Sequence, residues 1–167
     1  GVSYNADPKT DVSLKVIADH ARSLVFMIGD GVLPSNLGRG YILRRILRRA
    51  VRHGRLIGIE REFLGGAVDV VIDMFGEVYP EIKEKQDYIR KVIHMEESSF
   101  LKTLKSGNEM LDAEIAALKA AHKTELAGAV AFKLSDTFGF PKELTVEILE
   151  EQGMTLDEAG FAAALEV

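Results

Sequence analysis

The sequence has no cysteine. That excludes a disulfide framework, thiolate metal sites and a cysteine nucleophile, and it is compatible with a reducing compartment. No run without a charge approaches the 18 or so apolar residues a bilayer span needs, so a soluble protein is expected. The start, Gly1-Val2-Ser3-Tyr4, lacks the basic-then-apolar layout of a secretory signal, and its Gly in place of Met suggests a piece of a longer chain. There is no low-complexity tract and no internal repeat, and strand-like alternation is nearly absent. None of the four histidines, His20, His53, His94 and His122, sits at metal-ligand spacing. Ser98, Ser99 and Ser135 lack the Gly-x-Ser-x-Gly setting of a nucleophile elbow, and Gly38-Arg39-Gly40 is too short for either glycine-rich phosphate pattern. An active site within this chain is therefore not expected.

What is present fits a globular chain of one domain or two small ones: 167 residues, 47% hydrophobic and 28% charged. The net charge of −5 conceals an asymmetry. Residues 31–59 hold no Asp or Glu but carry Arg39, Arg44, Arg45, Arg48, Arg49, Arg52 and Arg55, which leaves about −12 for the rest. All seven are Arg and none is Lys, which favours forked donors for phosphate over simple solubilising charge. Beyond Lys142 the chain carries seven acids, a surface expected to face solvent or a partner and to repel RNA.

Helical spacing runs almost throughout and predicts an all-α fold. The periodicity places a first helix over 13–28, with a turn-rich loop at 33–40 before an Arg-rich helix over 41–57. A third helix spans 61–79, and one long helix or a helical hairpin spans 81–122, with Ser106-Gly107-Asn108 as the expected break. Residues 123–128 read as a linker. A short helix over 129–134 leads into a second special loop, Ser135-Asp136-Thr137-Phe138-Gly139-Phe140-Pro141, and Pro141 opens a helix to 152. Thr155 with Glu158 has the form of a capping box for a last helix to about 165. Two parts follow: residues 1–122, a helical domain with the Arg-rich helix, and residues 123–167, a small C-terminal helical sub-domain with the second loop.

Within the Arg-rich helix, Leu43, Ile46, Leu47 and Ala50 form an apolar stripe, while Arg45, Arg48, Arg49 and Arg52 recur at i, i+3, i+4 and i+7 on another side. A solvated face held by ion pairs predicts acids four residues away, and this helix has none. The reading preferred is contact with phosphates through Arg39, Arg44, Arg45, Arg48, Arg49 and Arg52. On local grounds Asn36 and Asp136 are turn or cap residues, His20 is a partly buried core histidine, and His53 stands among the arginines where it can assist with phosphate.

Two blocks carry a resemblance. The first runs from Val16-Ile17-Ala18-Asp19-His20-Ala21-Arg22-Ser23 through Asp30-Gly31-Val32-Leu33-Pro34-Ser35-Asn36-Leu37-Gly38-Arg39-Gly40-Tyr41 to Arg52-His53-Gly54. The second is Asp136-Thr137-Phe138-Gly139-Phe140-Pro141-Lys142-Glu143-Leu144-Thr145, with the tail through Asp157-Glu158-Ala159-Gly160-Phe161. In order and spacing they closely resemble the alanyl-tRNA synthetase family, over roughly residues 14–58 and 130–165; residues 60–125 show only a compatible helical pattern.

The resemblance implies the helical tRNA-recognition region that follows the class II catalytic domain. ATP with Mg would then bind upstream and zinc in an editing domain downstream, with no cofactor in this part. It implies a cytoplasmic protein whose partner is the acceptor stem of alanine tRNA, along with the catalytic and editing domains of its own chain. Asn36 and Asp136 match the positions that read a G·U wobble pair in that stem. The chemistry agrees, since the guanine 2-amino group of a wobble pair keeps an unpaired donor in the wide minor groove of A-form RNA. A carboxylate is an acceptor suited to it, and an amide can donate and accept at once. Leu37 stands where Glu is frequent and Phe138 where Tyr is frequent. The competing readings are a helical protein-interaction module using the acidic end, which would keep binding without the arginines, and an enzyme in its own right, which would show turnover.

Overall fold

The structure, a computed structural model, describes residues 2–167 and is all-α apart from two two-residue strands. The chain forms two compact units, Gly1–Ser99 and Phe100–Val167. The separation falls inside a long helix, whereas the sequence pattern divides the chain after residue 122.

In the first unit, α1 (Pro8–Gly29) begins where Asp7 accepts from the Lys9 N–H at 2.9 Å and Pro8 supplies a preset first turn. It packs on α2 (Gly38–Leu56), α3 (Leu64–Phe75) and the short α4 (Pro80–Glu84). Leu24, Val25, Ile28, Leu43, Leu47, Leu64, Val68, Ile72 and Ile82 close the core between them. Two helix ends are held by distant residues. Glu97 accepts from the Phe63 N–H at 3.1 Å and the Leu64 N–H at 3.3 Å at the start of α3, and Lys85 donates to the Gly29 carbonyl at 2.8 Å at the end of α1.

Residues 86–120 form one continuous helix, α5 (Gln86–Ala120), so the break expected at 106–108 does not occur. Gly107 serves packing instead: a Cβ there would stand 2.5 Å from the ring of Phe140, which is fully buried in the second unit. Around that ring the second unit assembles α6 (Gly128–Phe138), α7 (Lys142–Glu151) and α8 (Glu158–Leu165), with Phe100 edge-on to Phe140 at 5.6 Å. The expected linker holds β1 (Glu125–Leu126), which pairs in parallel with β2 (Thr155–Leu156). Thr155 is thus committed to strand pairing, its N–H donating to the Thr124 carbonyl at 2.8 Å, and it does not cap α8. Asp157 does so, accepting from the Gly160 N–H at 2.9 Å, and Glu158 meets Lys142 instead.

Candidate nucleic-acid interface

Residues 30–37 join α1 to α2, turning at 30 and 31, and Asn36 is exposed near their end. Ser35 Oγ donates to the Leu37 carbonyl at 2.8 Å and closes a local turn around it. The segment lies over the first turn of α2. A Cβ on Gly40 would come within 2.3 Å of the Leu33 carbonyl and 2.2 Å of Ser35 Oγ, so the approach requires glycine. The helix starts beside Asn36 with no side-chain cap and no acid in its first turn, leaving the positive end of its dipole uncompensated there.

The arginines divide. Arg39 is exposed, and Arg44, Arg45 and Arg49 are half-buried. Arg48 and Arg52 are only 8% and 7% exposed, so they do not form part of a solvated stripe. Acidic compensation comes from across the fold: Glu96 of α5, itself buried, accepts from Arg44 Nε at 2.7 Å and from Arg48 Nη2 at 2.9 Å. Burial holds the Arg48 guanidinium below its ordinary pKa, and the charge and hydrogen bonds of Glu96 offset this only in part. From the far end of its fork, Arg44 Nη1 donates to Asn36 Oδ1 at 2.5 Å. Arg49 donates to His20 Nε2 at 3.0 Å, so that nitrogen carries a lone pair and the imidazole proton sits on Nδ1, facing Asp19. His53 is buried and shares a hydrogen bond with Ser13 Oγ at 3.0 Å, which removes it from any phosphate-facing surface.

Glu96 carries no motif, but its position signals it: with Glu97 it interrupts the buried series Ile89, Ile93 and Phe100 on α5, and an acid among core positions needs a cation or N–H donors.

Asp136 lies in the last turn of α6, where the sequence pattern expects a loop. Ser135 and Thr137 do not stop the helix, which ends only where Gly139 turns left-handed at φ 71° and passes its N–H to the Leu134 carbonyl. Asp136 and Thr137 are exposed on that turn. Thr103 Oγ1 donates to the Phe138 carbonyl at 2.7 Å and fixes the end of the helix. Asn36 belongs to the first unit and Asp136 to the second.

A cleft of about 780 Å³ beside Arg61, Phe63, Arg90, Lys91 and His94 contains neither motif residue, and its cationic groups are offset by Glu62, Asp87 and Glu97. Among the described residues no three His, Asp or Glu side chains converge as metal ligands, and no helix is long and apolar enough to cross a membrane.

The chain belongs to the class II tRNA synthetases: the family described as tRNA synthetases class II (A) matches residues 1–167. Within that family it is similar to alanine–tRNA ligases. It is 53% identical over 163 residues to that of Alkaliphilus oremlandii, covering 98% of this chain and 18% of the ligase. It is 53% identical over 165 residues to that of Thermoanaerobacter sp. (strain X514), covering 99% and 19%, and 49% identical over 166 residues to that of Clostridioides difficile (strain 630), again 99% and 19%. The chain thus spans about a fifth of the length of these relatives.

Proposed function

We propose that this chain is the tRNA-recognition part of a cytoplasmic alanine–tRNA ligase, reading the G·U wobble pair of the acceptor stem so that the complete enzyme attaches alanine to its tRNA. The 53% identity to alanine–tRNA ligases across 99% of the chain, both motif blocks included, carries this reading. The aminoacylation chemistry, with ATP and Mg, and any zinc site belong to the catalytic and editing domains of the same ligase.

In this reading Asp136 accepts from the guanine 2-amino group, and Asn36 meets the base edges or a ribose 2′-hydroxyl in the minor groove. The exposure of both side chains supports it. Phosphates on either side are gripped mainly by Arg39, Arg45 and Arg49 of α2, which place the stem without reading it. Arg44, Arg48 and Arg52 shape that surface from beneath.

Asp136→Asn tests the reading most sharply, because it keeps the size and adds a donor where an acceptor is wanted. In the complete ligase containing this segment, the ratio of charging efficiencies for G·U and G·C stems is expected to fall by the equivalent of about 1–3 kcal/mol, with the salt dependence of binding unchanged. Full discrimination by a folded Asp136→Asn enzyme would remove Asp136 from the site.

A further inference from the structure

We infer that Arg44 is a positioning residue for Asn36 rather than a phosphate ligand: anchored on the buried carboxylate of Glu96, its guanidinium fixes the Asn36 amide in the orientation that meets RNA. This rests on the reading of Asn36 as a base-pair contact.

Three observations converge on it. An arginine only donates, so the Asn36 atom it meets is the carbonyl oxygen, and the amide N–H2 is turned away from Arg44. The guanidinium is itself held, because its Nε is spent on Glu96 at 2.7 Å, and Glu96 is held in turn by Arg48 Nε at 3.2 Å and Nη2 at 2.9 Å. The backbone beneath Asn36 is fixed by the Ser35 to Leu37 hydrogen bond and by the close approach at Gly40. An exposed asparagine on a surface loop ordinarily samples several rotamers and both amide orientations, and it must lose that freedom on binding. Here the ordering is built in before RNA arrives. The rigid planar fork is essential: a lysine ammonium in the same place is a single point of charge on a flexible stem and cannot hold Glu96 and Asn36 along two fixed directions.

The experiment uses the whole 167-residue chain. First, the Asn36 side-chain amide is followed by NMR in the unmodified protein and in Arg44→Lys and Arg44→Met, without RNA. Order of that amide is expected to drop in both variants while the backbone amide resonances of α2 show the helix still folded. Unchanged Asn36 order in a folded variant overturns the inference. Second, binding to acceptor-stem duplexes with G·U or G·C is titrated against salt. Arg44→Met, which removes the charge, is expected to lower the G·U to G·C affinity ratio about three- to tenfold, as for losing one preordered side chain, with no change in the salt slope. Adding Arg44→Met to Asn36→Ala is expected to lower the ratio no further. A salt slope reduced by about one charge, with both duplexes weakened alike, marks Arg44 as a phosphate contact and overturns the inference. If the unmodified chain binds both duplexes equally while Asn36 order still depends on Arg44, base-pair reading by Asn36 fails and the proposal for RNA fails with it.

Discussion

Arg44, Arg48 and Arg52 recur every four residues, so they share one side of α2, and the first two of them converge on Glu96. Their type suits phosphate, but Arg48 and Arg52 are buried, and Arg48 is met there by the distant carboxylate of Glu96. His20 shows how such packing becomes dependence on pH. Burial first, and then the Arg49 charge, lower its pKa from the ordinary 6.5, outweighing the nearby Asp19. The folded chain therefore resists a proton that the unfolded chain accepts. Stability from this group is fully present above about pH 6.5 and is lost as pH falls through the depressed folded-state value. Urea unfolding from about pH 7 to about pH 5 is expected to show that decline, and His20→Asn is expected to flatten it. An equal decline in the variant would assign it to other groups.

Continuity of α5 through Gly107 turns on what lies beside it. In an isolated helix Gly→Ala would gain up to about 1 kcal/mol. At Gly107 the added methyl would meet Phe140 at 2.5 Å and the Phe138 Cβ at 3.1 Å, inside a core with no room to yield. Overpacking of that kind costs about 1–3 kcal/mol, so Gly107→Ala is expected to destabilise the second unit, visible as a lower urea midpoint. Gly66 in α3 provides the contrast. Nothing lies within 4 Å of a Cβ there, and Gly66→Ala is expected to stabilise by a few tenths to about 1 kcal/mol. Equal effects at the two sites would contradict the packing argument.

Across the whole molecule, charge is arranged without regard to the net −5: the arginines cluster on α2, while α7 and α8 carry mainly acids. Such a distribution favours an oriented approach of a polyanion to one region over general affinity. With a length only about a fifth of the ligases it resembles, the chain is expected to show no alanine-dependent ATP–pyrophosphate exchange on its own. Exchange above background that survives repurification would place catalytic groups in these helices.

The order and approximate span of the helices were legible in the sequence, because amphipathic spacing is a local property of each segment. The motifs around Asn36 and Asp136 stand out as local patterns, but the setting of Asp136 does not, since the loop expected there is the last turn of α6. Side-chain environment was not legible. The partner of Arg44 and Arg48 lies 52 and 48 residues away, the stop of α6 falls at Gly139 instead of before Asp136, and Thr155 is taken by a strand partner about thirty residues distant. The first and last of these outcomes are decided by contacts between segments far apart in the chain, whereas the stop of α6 is set locally by the left-handed Gly139. Local periodicity carries no information about such contacts, and burial turns them into the difference between a surface arginine and one that holds the fold.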